Sequence, residues 1–272
     1  MSSIQDVLEG RARWAVIHGD NREVLPTLPD KSVAHVISDS PYSEHVHGKQ
    51  RRMLRGSGGR AAADGEQRGE INFVPLGFDA LTVEHRRFCA GQFARLAQRW
   101  VLEFSDLEST EAWLQDLVAA GLRRWRFGIW NKLNCQPQLS GTGPAVGSEG
   151  IAIAHSEAAM RWNGGGLPAR WDFSIAFDNN GRASRIHTTQ KPEPLMTALI
   201  EQFTDPDEVI LDPFCGGGTT GVAALKAGRR FIGIEIDEKY ARRASARIAG
   251  GWELETPRDD ESGQRGLFEV GA

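Results

Sequence analysis

Cysteine is scarce, with only Cys89, Cys135 and Cys215 in 272 residues. Three scattered thiols build neither a disulfide framework nor a cysteine zinc site, and a reducing cytoplasm is the compartment they suit. Long apolar runs are missing too. None approaches the ~18–20 residues that a membrane span needs. The opening residues, Met1-Ser2-Ser3-Ile4-Gln5-Asp6, lack the basic-then-apolar order of a signal peptide, so export is not expected. Positive charge is in slight deficit: 32 Lys+Arg against 36 Asp+Glu leave a net −4. That excludes a globally basic nucleic-acid coat but not a basic face, since local clusters decide binding. What remains is ordinary soluble composition, 40% apolar and 25% charged, enough for one sizeable core.

No internal repeat is visible. Strand-like and helix-like patterns alternate, which predicts a mostly parallel sheet covered by helices. Residues 14–18 and 33–37 read as short buried strands, with a brief helix over 21–28 between them. An amphipathic helix is expected over 82–100, then a strand over 100–104, a helix over 108–120 and a strand over 125–130. The C-terminal third is clearer: helix 193–204, strand 209–211, a glycine turn, helix 219–228, strand 231–236 and helix 238–249. Residues 1–252 are read as a single domain. Two stretches interrupt it. Residues 45–77 intersperse glycines with Lys49, Arg51, Arg52, Arg55, Arg60 and Arg68, as in a mobile basic loop. Residues 157–186 mix Arg161, Trp162, three consecutive glycines, Arg170, Trp171, Arg182 and Arg185. The polar segment 253–272 reads as a flexible tail. His45 and His47 alternate without further ligands, so no metal site is expected.

The run Leu211-Asp212-Pro213-Phe214-Cys215-Gly216-Gly217-Gly218-Thr219-Thr220 follows an apolar strand and opens a helix. Glycines there let a ligand approach the backbone, and the next strand ends at Glu235, an acid placed for ribose hydroxyls. An adenosine-containing cofactor fits. A dinucleotide does not, because the Asp212 carboxylate would repel a pyrophosphate but hold a cationic amino group. S-adenosylmethionine carries such a group and no phosphate.

The string from Asp212 to Thr220 resembles the D-P-F-x-G-x-G-T-T motif of amino-group DNA methyltransferases. Thr189-Gln190-Lys191-Pro192 is similar to that family's T-Q-K-P segment. Gly19-Asp20 and Asp39-Ser40-Pro41-Tyr42 resemble its G-D and D-P-P-Y motifs, with Ser40 where proline is usual. The catalytic tetrapeptide comes first and the cofactor turn last, the circularly permuted β-type order, and the likeness spans about 14–250. The resemblance implies a Rossmann-like methyltransferase fold: an α/β, doubly wound, mostly parallel seven-stranded sheet with one antiparallel edge strand. It implies that Asp212, Phe214, Gly216, Gly218 and Thr219 surround the cofactor's methionine and ribose. Glu235 is expected on the ribose, Asp20 on the adenine and Lys191 by the methionine carboxylate. Asp20 and Asp237 also fit as helix N-caps.

An exocyclic amino group is a poor nucleophile because its lone pair is delocalised into the ring. The Asp39 carboxylate and the Ser40 carbonyl can each accept one of its N–H bonds, aiming the lone pair at the methyl group, so alignment and electrostatics carry the reaction. The base must leave the duplex; Tyr42 would stack on it and Pro41 would fix the turn. Lys49, Arg51, Arg52 and Arg55 are candidate phosphate contacts, and residues 157–186, with Arg161 and Arg170, a candidate target-recognition segment. The leading expectation is site-specific adenine-N6 methylation of DNA. Cytosine-N4 methylation comes second, and a non-catalytic nucleic-acid-binding module third. In the tail, Gln264, Leu267 and Phe268 resemble the Q-x-x-L-F peptide that docks on bacterial sliding clamps. A homodimer is a further expected assembly.

Overall fold

The computed structural model describes residues 2–41, 80–135, 143–156, 160–175 and 191–253. Its strands are β1 (Trp14–His18), β2 (His35–Asp39), β3 (Trp100–Ser105), β4 (Arg123–Lys132), β5 (Ser148–His155), β6 (Arg170–Phe173), β7 (Val209–Asp212) and β8 (Arg230–Glu235). They form one eight-stranded sheet in the order β1-β8-β7-β2-β3-β5-β4-β6. β5 runs antiparallel to both neighbours, β3 and β4, and every other pairing is parallel. The helices are α1 (Ile4–Leu8), α2 (Asn21–Val24) with a 3-10 turn over Leu25–Thr27, α3 (Val83–Leu96), α4 (Thr110–Ala119), α5 (Glu193–Phe203), α6 (Thr219–Lys226) and α7 (Glu238–Glu253).

Alternation along the strands sends side chains to opposite faces, and each face has its own core. On one side Ile37, Leu102, Phe104, Ile151, Ile210 and Phe231 meet α5, α6 and α7. On the other, Val36, Val101, Ala152, Leu211 and Ile232 meet α1, α3 and α4. This is the doubly wound sheet expected.

Two details of the expectation change. The eighth strand is Arg170–Phe173, inside the stretch read as a target-recognition segment. It lies along β4 from Ile129 to Lys132, and Trp171 on it is buried in the core. The antiparallel strand is interior rather than at an edge. Its sequence carries little strand signal, because Ser148–His155 holds Gly150 and two alanines. Gly150 is needed there: an added Cβ would lie 2.0 Å from the Thr110 hydroxyl of α4. Boundaries also shift. β2 begins at His35 and carries Asp39 as its last residue, while Val33 makes only an isolated bridge to Ala97. α3 stops at Leu96, where Ala97 turns extended.

Candidate active site

β7 and β2 are adjacent in the sheet, yet the chain leaves them toward opposite edges. In open α/β sheets that switch point is where a crevice opens, beyond the carboxyl ends of the strands. Asp212 ends β7 and Asp39 ends β2.

The Asp212 carboxylate is buried and held locally. Its Oδ1 accepts the Phe214 N–H at 3.1 Å and its Oδ2 accepts the Thr220 hydroxyl at 2.6 Å. Burial pushes its carboxyl up to about 7, and the nearby Asp39 and Glu235 add to the rise. The turn itself depends on two left-handed glycines. Gly216 has φ +51, and a Cβ there would meet only the Phe214 carbonyl oxygen at 3.8 Å, leaving the backbone open to a ligand. Gly218, at φ +75, caps α6 and lies so close to α7 that a Cβ would be 3.0 Å from that of Ala244. Glu235, at the end of β8, accepts the Gly216 N–H at 2.8 Å and the Asp237 N–H at 2.9 Å. Its burial likewise raises its carboxyl.

The Gly19 N–H donates to the Glu235 carbonyl at 2.9 Å, which brings Asp20 to the same edge. Asp20 caps α2 through the Arg22 N–H and is ion-paired with the Arg22 guanidinium, whose hydrogen bonds hold its carboxyl below the ordinary range. Asp237 caps α7 through the Tyr240 N–H. The expected capping roles of both therefore stand.

Lys191, expected by the methionine carboxylate, faces two carboxylates of the chain itself. Its ammonium is 2.6 Å from Asp39 Oδ1 and 3.1 Å from Glu149 Oε2, over the Phe104 ring at 5.0 Å. Lys132 reaches the other Glu149 oxygen at 2.6 Å. The result is an alternating chain, Asp39–Lys191–Glu149–Lys132, assembled from β2, the entry to α5, β5 and β4. Burial raises the Asp39 carboxyl and Lys191 opposes the rise. Burial alone would depress Lys191, but Asp39 and Glu149 outweigh it and hold the ammonium above its usual range. In this structure Lys191 bridges the Asp39 and Glu149 carboxylates.

Ser40 is buried, and its N–H donates to Glu103 Oε1 at 3.1 Å. Ser40 and Pro41 also border a small cleft with Arg86, Ser105, Asp106 and Trp113. Thr219 accepts from the Arg247 guanidinium at 2.9 Å. Arg161 pairs with Asp205 and Arg170 with Asp172, both on the surface. The tryptophans beside them serve the core: Trp162 packs edge-on against Phe203, and the Trp171 indole donates to Gln202. Tyr42, Lys49, Arg51, Arg52, Arg55, Arg182, Arg185, Thr189, Gln190, Gln264, Leu267 and Phe268 lie outside the described residues.

Several participants carry no motif. Asn21 donates to the Pro213 carbonyl through its Nδ2 and accepts from His85 Nε2 through its Oδ1, and the His85 ring lies 5.9 Å from that of Phe214. Arg247 braces the glycine turn through the Gly217 carbonyl. Glu149 and Lys132 lie within the span of the likeness but outside its quoted motifs. Glu103 had not been singled out, although an acid in an otherwise apolar strand is the kind of signal that marks a buried polar role.

A doubly wound sheet with carboxylates gathered at its switch point is a frame that accommodates a ligand in the crevice beyond the strand ends. Residues 124–246 match the family described as DNA methylase. The chain is 28% identical to Type II methyltransferase M.HinfI of Haemophilus influenzae over 254 residues, 86% of this chain and 67% of that one. Among solved structures, M1.HpyAVI with SAM superposes at TM-score 0.63 and 22% identity, covering 86% of this chain and 98% of that one. PvuII DNA methyltransferase, cytosine-N4-specific, superposes at 0.61 and 14% identity, covering 89% and 92%. In sequence and fold the chain resembles the amino-group (N6-adenine/N4-cytosine) DNA methyltransferases.

The residues present fit S-adenosylmethionine, the cofactor of this family. Asp212, Glu235 and Asp20 supply acceptors for an amino group and hydroxyls, and Gly216 leaves room beside them. Among the described residues of the turn, none is a cation that would call for a phosphate.

Proposed function

We propose that this chain moves a methyl group to the exocyclic amino group of adenine at specific DNA sites, with residues 1–252 acting as a single methyltransferase domain. The observation that carries the reading is the pairing, at one switch point, of the Asp212 turn with the Asp39-Ser40 end of β2. S-adenosylmethionine, when bound, supplies an electrophilic methyl group on a sulfonium that leaves without acid assistance. The remaining work falls to the chain. Asp212 and Glu235 bind and orient through their acceptors. Asp39 accepts one N–H of the target amino group and the Ser40 carbonyl the other, drawing the nitrogen toward tetrahedral geometry and stabilising the positive charge that develops. Lys191 occupies Asp39 Oδ1, leaving Oδ2 for the base and favouring the charged carboxylate the reaction needs.

Adenine is favoured by Asp at the first position of the tetrapeptide. Cytosine-N4 transfer is the second reading, supported by the Ser-Pro-Tyr that follows and by the fold likeness to the cytosine-N4-specific PvuII enzyme. Nucleoside mass spectrometry after incubation with unmodified DNA separates them. N6-methyladenine is expected, N4-methylcytosine would move the assignment to the second reading, and neither would leave a binding module. Clamp docking through Gln264, Leu267 and Phe268 is a separate proposal. A peptide of residues 258–272 should bind a bacterial sliding clamp, and equal binding by its Leu267→Ala/Phe268→Ala form would sink it. The homodimer is tested by sedimentation with and without DNA.

A further inference from the structure

The catalytic strand end is gripped from both faces of the sheet, and only one grip has a motif. On the α5 face Lys191 holds the Asp39 side chain. On the α3–α4 face, β3 carries Glu103, fully buried beside Val101 and opposite Ser38 in the β2–β3 register. Ser40 is the first residue beyond β2, and the next residue, Pro41, has no N–H. The Ser40 N–H is thus the last main-chain donor of this described strand end, and Ser40 is buried, where an unpartnered donor is costly. Glu103 Oε1 supplies its acceptor at 3.1 Å.

We propose that Glu103 is a positioning residue for methyl transfer: by anchoring the Ser40 N–H from behind the sheet, it fixes the peptide plane joining Asp39 to Ser40. That plane sets the relative placement of the two acceptors, the Asp39 carboxylate and the Ser40 carbonyl, which must reach one amino group together. The inference rests on the methyltransferase reading above.

The surroundings suit a neutral acid. Across from it on β5 is Ala152, and the titratable groups facing it are Asp39 on β2 and Cys89 on α3. Neither is a cation. Burial pushes the Glu103 carboxyl up to about 8, so at pH 7 it is mostly protonated. A protonated carboxyl keeps a carbonyl oxygen for Ser40 without adding a charge next to Asp39. Above about pH 8 the site would hold an extra anion.

The test uses the full chain as Glu103→Gln and Glu103→Leu, assayed for methyl transfer to unmodified DNA and for cofactor affinity by calorimetry. Glu103→Gln keeps a neutral acceptor and should retain kcat at pH 7, while losing any alkaline fall the wild type shows near pH 8. Glu103→Leu should lower kcat by about 100-fold, the scale of a roughly 1 Å misplacement, with KM and Kd for the cofactor little changed. Equal kcat in wild type and Glu103→Leu would overturn the proposal, and so would loss of cofactor affinity in parallel with kcat. Hydrogen exchange at the Ser40 amide adds a readout independent of activity. Protection kept in Glu103→Gln and lost in Glu103→Leu supports the anchor, and protection unchanged in Glu103→Leu refutes it. A wild-type chain that methylates no DNA would instead overturn the functional reading, with the Ser40 amide still reporting on the anchor.

Discussion

The proposed cofactor side and the proposed target side of this crevice hold their carboxylates by different means. Asp212 and Glu235 are satisfied by N–H and O–H donors within a few residues or on the adjoining turn: Phe214, Thr220, Gly216 and Asp237. Asp39 is satisfied by a cation from the entry to α5, itself held by Glu149 on β5. Local main-chain donors keep an acid in place whatever its charge and leave it able to take up a proton. A buried cation keeps its partner ionised but depends on every other member of the chain. The cofactor side should therefore tolerate single changes, whereas the target side should fail as a unit.

The sharpest way to break that contrast is Lys191→Met. It strands Asp39 and Glu149 as buried acids with one cation lost. Removing one partner of a buried pair costs about 3–5 kcal/mol of stability, measurable by urea denaturation. The variant should also move the acid limb of kcat/KM to higher pH, because Lys191 is what opposes the burial-driven rise of Asp39. Cofactor affinity should change little. A tenfold weaker cofactor Kd with an unmoved pH profile would return Lys191 to the methionine carboxylate.

Asp39→Ala comes next. It should cut methyl transfer by about 100-fold or more, the usual effect of one lost electrostatic contact in a transition state, with cofactor Kd within a few-fold of wild type. Turnover above one-hundredth of wild type would show that the carboxylate is not the principal acceptor.

The same contrast explains what was legible beforehand. Asp212, Gly216, Gly218 and Glu235 form a site from consecutive elements, β7 to β8, so its chemistry lies in one stretch of sequence. The Asp39 end of β2 was visible as a tetrapeptide, but its supports were not, because β3, β5 and the entry to α5 meet it only after the sheet forms. β5 was hidden because Gly150 answers to the packing of Thr110 rather than to strand propensity. Trp162 and Trp171 looked like recognition residues because sequence cannot tell an aromatic that faces DNA from one that packs on Phe203.

On the cofactor side, Glu235→Ala should weaken cofactor binding by about 1–3 kcal/mol, the effect of losing hydrogen bonds to a charged acceptor. Calorimetry checks it. Because Glu235 also holds the Gly216 and Asp237 N–H groups, Glu235→Gln should recover part of the loss. No change in either variant would make the residue purely structural.

The smallest effect is a proton. Free Asp212 titrates at about 7, raised by burial above its ordinary value. The sign follows from linkage: a carboxyl with a raised folded-state value stabilises the fold below about pH 4, and that stability is lost as pH rises through about 7. A cationic amino group bound beside it favours the carboxylate and reverses the shift, so binding should expel protons, more of them at pH 6 than at pH 8. Cofactor affinity should then strengthen from pH 6 to pH 8. Calorimetric titrations in two buffers of different ionisation enthalpy measure the proton count directly, and Asp212→Asn should abolish it. Zero proton release by the wild type would mean that Asp212 braces the turn through Phe214 and Thr220 without facing the cofactor's charge. The two sides of the crevice would then differ less than their contacts imply.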